Sequence, residues 1–134
     1  MPTSSGLTHV AMSVPEGTLT DAYRVRLLKF YGRVLDWREM ESLRLPDRLT
    51  VAVGPSSYIN IRERPDNMVS HGYEHFGVLL RTPEGLQELW AVLSDEEDDV
   101  QLEALEVNDD GEGSFRFRYL LPMAVEAQFY ASLL

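Results

Sequence analysis

The chain has 134 residues, twelve Lys or Arg against twenty-two Asp or Glu, a formal net charge of −10 and no cysteine. That length suits one ordinary domain made of two half-domains sharing a core, and the lack of cysteine excludes disulfides, thiolate metal sites and a cysteine nucleophile. The acidic balance opposes phosphate backbones and anionic lipid, so neither nucleic acid nor a membrane is an expected partner.

Residues 1–6 carry no basic segment leading into an apolar one, and no run approaches the length that spans a bilayer, so the expectation is a soluble, cytoplasmic protein. Residues 7–14 read as a strand with Leu7, His9, Ala11 and Ser13 on one face and Val10, Met12 and Val14 on the other, the second being the face to pack under a helix. Pro15-Glu16-Gly17 breaks it, and Thr18 or Thr20 with Asp21 caps a helix running to about Val34, whose stripe is Leu27, Leu28, Tyr31, Val34 and Leu35. Strands follow over 37–45, 49–53 and 58–62, separated by Pro46-Asp47-Arg48 and Gly54-Pro55-Ser56-Ser57.

A polar segment with Pro65 then links the halves, so that the first module covers about residues 6–63, the linker 64–72 and the second module 73–134. His71, in the linker, reads as a surface residue. The second module opens on a strand, Tyr73 to Leu80 in sequence order, and Thr82-Pro83 starts a helix with Leu86, Leu89, Trp90 and Leu93 inward. The acidic run 95–99 reads as a solvated loop, with an acidic docking surface as the minor reading. A strand over 100–107, a hairpin loop at 108–113, an alternating strand over 114–120 and a last strand over 123–130 complete the module. The acids of the hairpin loop lack the ligand spacing of a calcium loop. Phe115, Phe117 and Tyr119 oppose Arg116 and Arg118, while Ala124, Glu126, Gln128 and Tyr130 oppose Val125, Ala127 and Phe129.

The element order, strand, helix and three strands, thus occurs twice. His9 and His75, 66 residues apart, each open a short apolar run that a proline soon ends, and the same offset carries Asn60 onto Glu126. If a pseudo-twofold axis relates the modules, His9 faces His75 and Asn60 faces Glu126. Two imidazoles and a carboxylate on rigid strands form a facial triad with open positions, suited to Fe, Mn, Ni or Zn. Asn60, Tyr58, Arg62, Arg116, Arg118, Gln128 and Tyr130 share those faces and are candidate substrate-binding residues. No residue is assigned as a general acid or base.

The His9 strand followed by Phe30-Tyr31-Gly32-Arg33-Val34-Leu35-Asp36-Trp37, the His75 strand with its Thr82-Pro83 helix start, and the final Glu126-Ala127-Gln128-Phe129-Tyr130 together resemble the vicinal oxygen chelate superfamily. That group takes in glyoxalase I, extradiol dioxygenases, fosfomycin-resistance transferases and bleomycin-binding resistance proteins. The resemblance implies an α+β, glyoxalase-like fold in which two βαβββ modules form a cup-shaped mixed sheet with helices outside, each first strand beside its module's last. It also implies metal ligands at His9, His75 and Glu126; members close the cup within one chain or by exchanging modules in a dimer, the linker permits either, and a homodimer is the expectation here. Two departures stand out: Leu120-Leu121-Pro122-Met123 replaces an Asp-Pro-Asp-Gly-Asn-like turn, and Asn60 occupies a position where some members place a fourth ligand.

Two functions follow. One is a divalent-metal-dependent enzyme, a lyase, isomerase or dioxygenase acting on a small molecule with adjacent oxygens. The alternative is a metal-free cup that sequesters a small aromatic molecule, as the bleomycin-resistance branch does. On the second reading Glu126 is half of a structural ion pair with Arg62, Arg116 or Arg118.

Overall fold

Alternation and capping place the first two elements. The structure, a computed structural model, describes residues 1–96 and 99–134; Glu97 and Asp98 of the acidic run lie outside the described residues. The chain divides into two compact units, Met1–Val69 and Ser70–Leu134.

In the first unit, β1 (His9–Val14) buries Met12 and Val14 and leaves His9 and Ala11 exposed, as the alternation requires. Helix α1 (Asp21–Leu35) starts at Thr20, whose hydroxyl accepts from the Tyr23 amide at 3.2 Å, and ends at Asp36 in the left-handed conformation with φ 55°. Strands β2 (Arg38–Glu39), β3 (Arg48–Gly54) and β4 (Ser57–Glu63) complete a sheet of order β1-β4-β3-β2. The β1–β4 pairing is parallel and the others are antiparallel. Leu27, Phe30, Tyr31, Leu49, Val51, Ile59 and Ile61 make the core, with Tyr31 stacked on Trp37 at 4.5 Å.

Two expectations need correction here. The strand expected over 37–45 ends at Glu39, and Glu41–Leu43 forms a 3-10 turn. Side chains and local carbonyls hold that turn: Arg44 grips the Glu39 carboxylate, and the Arg48 guanidinium donates twice to the Leu43 carbonyl, at 3.1 and 2.8 Å. The α1 stripe also differs, because Leu28, Val34 and Leu35 are only half-buried while Arg24 is buried. Arg24 donates to four backbone carbonyls, those of Leu19, Leu45, Pro46 and Arg48, at 2.8 to 3.2 Å. Its guanidinium therefore ties α1 to the turn before β3 with no carboxylate in the bond set.

The second unit repeats the plan with β5 (His75–Leu79), α2 (Pro83–Ser94), β6 (Gln101–Leu102), β7 (Glu106–Val107), β8 (Gly113–Arg118) and β9 (Ala124–Phe129). Thr82 caps α2, its hydroxyl accepting from the Gly85 amide at 2.9 Å. Leu86, Leu89 and Leu93 are buried, and α2 lies against β9. The half-buried Trp90 sends its indole N–H to the Glu103 carbonyl at 3.0 Å. Sheet order is β5-β9-β8-β6, with β7 also on β8 and only β5–β9 parallel. The strand expected over 100–107 is split in two. Leu102 faces Phe117 and Glu106 faces Ser114, so four steps on one side meet three on the other, which is a bulge. Gly113 serves that bulge: a Cβ there would sit 1.9 Å from the Glu106 carbonyl oxygen.

The repeat offset survives in the pairing. His9 pairs with Tyr58 and Ala11 with Asn60; 66 residues on, His75 pairs with Ala124 and Gly77 with Glu126. In both units the first strand lies beside the last, as the resemblance implies.

Replacing Arg24 with Met removes the guanidinium donor from the Leu19 and Pro46 carbonyls and leaves the Leu45 carbonyl only the Arg48 amide, and urea unfolding should show a loss of about 3 kcal/mol, with Arg24→Lys recovering less than half. Burial pushes the Tyr23 phenol from 10.0 up to about 12. The folded state then holds its proton more tightly than the unfolded state, so this stabilisation is complete below pH 10.0 and is lost as pH rises toward 12. In an alkaline series of unfolding measurements, Tyr23→Phe should flatten the decline over that interval.

Candidate functional site

The helices cover the apolar face of each sheet, so the polar residues that alternate with the core residues collect on the other face. In the second unit this face brings His75 of β5 beside Glu126 of β9, with Nε2 3.3 Å from Oε2. Both are partly buried, at 22% and 26% side-chain exposure, which keeps the pair accessible to a ligand. The other imidazole nitrogen, Nδ1, lies 2.6 Å from the Tyr73 carbonyl oxygen. A carbonyl only accepts, so Nδ1 carries the hydrogen, and in the neutral ring Nε2 presents a lone pair to a carboxylate oxygen. Two acceptors at that distance need a proton or a cation between them.

Glu126 is held from its other oxygen, Oε1, which accepts from the Ser114 hydroxyl at 3.1 Å. The Tyr73 ring meets the His75 ring edge-on at 5.4 Å. Arg116 is the direct cross-strand neighbour of Glu126 yet turns away from it, binding Glu103 through Nε at 3.1 Å and a terminal nitrogen at 3.2 Å, with its guanidinium 5.9 Å from the centre of the Tyr73 ring. Arg118 donates to the Ser70 hydroxyl at 3.1 Å. The arginine explanation of Glu126 is thereby corrected: its partners are His75 and Ser114, because Glu103, on the bulged strand side, takes Arg116. Gln128 folds its amide over Gly77, where a Cβ would meet Nε2 at 2.5 Å. Tyr130 lies just past β9, as the residue that precedes a short 3-10 turn. His71 is exposed, and its amide donates to the Glu74 carboxylate at 3.0 Å. Hydrogen bonds from backbone amides, its own first, and from the Ser70 hydroxyl hold that carboxyl below its usual range.

The corresponding face of the first unit carries different chemistry. His9 is exposed and stacks flat on Tyr58, at 4.8 Å and 5°, with Nδ1 2.9 Å from the Thr8 hydroxyl. Asn60 accepts through its amide oxygen from buried Thr50 at 3.1 Å. Arg62 follows on the same face of β4.

Among the described residues, no group of three or more His, Asp or Glu is gathered in a way that could hold a metal ion. His75 and Glu126 do fit as two ligands of one ion. Donors about 2.1 Å from a shared ion stand about 3.0 Å apart at an octahedral angle and about 3.4 Å at a tetrahedral one, and the observed 3.3 Å falls in that interval. Donation of the distal ring N–H to a carbonyl is the outer-shell support metal-bound histidines have. Ser114 and Tyr73, which supply this support, were missed by the sequence reading. Alternation put Ser114 on the face of Arg116, so it was open to discovery; a backbone carbonyl acceptor leaves no side-chain signal.

Paired βαβββ units with each first strand parallel to the last define the glyoxalase-like fold of the vicinal oxygen chelate proteins. Solved structures share it across nearly the whole chain. Lactoylglutathione lyase from Agrobacterium tumefaciens is similar at TM-score 0.68 and 17% identity, over 98% of this chain and 97% of that one. A glyoxalase/bleomycin resistance protein/dioxygenase family enzyme from Burkholderia phytofirmans gives 0.65 and 14%, over 91% and 96%. The fosfomycin resistance protein FosX from Listeria monocytogenes, as a glutamate-to-glutamine mutant complexed with Mn(II) and 1S,2S-dihydroxypropylphosphonic acid, gives 0.65 and 16%, over 95% and 93%. No protein-family model and no curated protein sequence matches the chain. At these identities the likeness establishes the fold.

Gly77→Ala should displace the Gln128 amide, the end of a flexible side chain, at a cost of under about 1 kcal/mol, with the change in amide NMR shifts centred on Gln128 and Glu126. Loss of the folded spectrum would show that the close approach is rigid.

Proposed function

We propose that this protein is a divalent-metal-dependent enzyme of the vicinal oxygen chelate type, acting on a small molecule with adjacent oxygens. The observation that carries the reading is the His75–Glu126 pair, with Nε2 and Oε2 3.3 Å apart and Nδ1 committed to a carbonyl. His75 and Glu126 would hold the ion together with His9, the equivalent residue of the other repeat. A bound Fe, Mn, Ni or Zn ion supplies Lewis acidity toward vicinal oxygens, stabilising the negative charge that enolisation, addition or ring opening develops on them. The chain's own contribution is orientation. Tyr73 sets the imidazole tautomer, and Ser114 fixes one carboxylate oxygen so that the other points at His75. The Mn(II) complex of FosX, a protein of the same fold, supports a divalent ion in this setting.

The second reading, a metal-free binding protein, is favoured by the fact that the ligand cluster stops at two among the described residues. Aromatic and amide side chains, with Tyr58, Asn60, Gln128 and Tyr130 among them, would then hold the guest, and the His75–Glu126 pair would be bridged by a proton. We also read the protein as a cytoplasmic homodimer; among the described residues no helix is long and apolar enough to cross a membrane.

Metal analysis of protein purified without chelator should find about one divalent ion per chain, lost in His75→Ala and in His9→Ala and weakened at least tenfold in Glu126→Gln. Light scattering on the same samples should return twice 15.3 kDa. Protein that is metal-free, and whose melting temperature is indifferent to added Mn(II), Ni(II) and Zn(II), would leave the binding reading in possession.

A further inference from the structure

Every arginine in this acid-rich chain has an incentive to find a carboxylate, and most of those on the sheets have found a partner. Arg38 binds Asp36, Arg44 binds Glu39, Arg64 binds Asp66, Arg116 binds Glu103, and Arg48 and Arg118 donate to oxygens. Arg62 is different. Its Nε is buried and has no hydrogen-bond partner, the one such side-chain nitrogen or oxygen among the described residues.

Its position on β4 makes that orphan informative. Ile59 and Ile61 point into the core under α1, so Asn60 and Arg62 project from the opposite face. There an open pocket of about 450 Å³ is lined by Ala11, Met12, Ser13, Asn60, Arg62, Arg64 and Met68. No carboxylate lines it. Asn60 has spent its amide oxygen on Thr50, which leaves its NH₂ group to donate. Ser13 already accepts, at 2.6 Å, from the Met68 amide, so its hydroxyl hydrogen is also available. Arg64 is neutralised by Asp66 at 3.0 Å, so the uncompensated positive charge belongs to Arg62. Ala11 and Met68 supply the apolar part of the lining, since the Met12 side chain is buried on the opposite face of β1.

A cluster of hydrogen-bond donors around a guanidinium with no carboxylate among the lining residues selects an oxyanion, and Ala11 and Met68 beside it accommodate a short hydrocarbon stem. We infer that the pocket of the first unit, around Arg62, Asn60 and Ser13, binds the carboxylate or phosphonate group of a small organic anion. The inference is independent of the metal reading, since none of His9, His75 and Glu126 lines this pocket.

The test uses butyrate and propylphosphonate as probes, with butyramide as the uncharged control, titrated into the full chain with and without chelator and followed by amide NMR shifts. Saturable shifts at Ala11, Ser13, Asn60 and Met68 are expected for at least one anion and absent for butyramide. Arg62→Met should weaken the anion at least tenfold, Arg62→Lys should keep part of the affinity, and Arg38→Met, which removes the same charge from an exposed site, should change it less than twofold. The stronger of the two anions identifies the headgroup. Persistence of the shifts in a folded Arg62→Met protein, an equal loss in Arg38→Met, or no saturable binding of either anion would overturn the assignment. Chelator leaves the outcome unchanged, so failure here and failure of the metal proposal are read separately.

Discussion

The parallel pairing of the first strand of each unit with its last is the constraint from which the site follows. A parallel pair cannot be closed by a tight turn, so the chain must leave β1 and return to β4, and leave β5 and return to β9, through a helix and further strands. The helix covers one face of the sheet. The residues that open β5 and fill the middle of β9 are thereby brought together on the other face, 51 positions apart in the case of His75 and Glu126, counted from 75 to 126. Without that pairing the imidazole and the carboxylate have no reason to meet.

The two units share this plan and diverge in what they place on it. Where the second unit has Gly77, Ala124, Glu126 and Gln128, the first has Ala11, Tyr58, Asn60 and Arg62 at the same register positions. One face is thus built around a carboxylate and a histidine, each oriented by a partner of its own, the Ser114 hydroxyl and the Tyr73 carbonyl. The other is built around donors, with Tyr58 stacked flat on its histidine and the Nε of Arg62 left without a hydrogen-bond partner. A duplicated scaffold with unlike polar residues yields two chemically distinct surfaces from a single backbone solution, because strand register sets position while the side chain sets chemistry.

Neutralisation within the second unit explains why the arginines there do not behave as their sequence spacing suggests. Arg116 lies opposite Glu126 on the neighbouring strand, and a pairing by register alone would join them. The bulge between β6 and β7 brings Glu103 to Arg116 instead, with a two-bond contact that a planar guanidinium favours. Glu126 is released to His75 and Ser114. A one-residue irregularity at the sheet edge therefore decides which carboxylate is available for chemistry.

Local features were the legible ones. Thr20 and Thr82 as caps, Pro83 at a helix start and the alternation of β1, β8 and β9 all depend on neighbours in sequence, and the structure has each of them; the 66-residue offset, read by comparing the chain with itself, recurs in the strand pairing. The strands expected over 37–45 and 100–107 were legible only in part, since a side chain bonded to a backbone carbonyl, as Arg48 is to Leu43, or a bulge, leaves little trace in apolar periodicity. Arg24 stands outside the apolar stripe expected for α1 and is buried, because the turn before β3 offers it carbonyls that no local pattern reveals. The amino-acid sequence by itself determined the element order, the repeat and the identity of the polar residues on each strand face. Only tertiary structure decided their partners: hydrogen bonds and ion pairs depend on distances of a few ångströms between segments far apart in the chain, and those distances exist only once the sheets have formed.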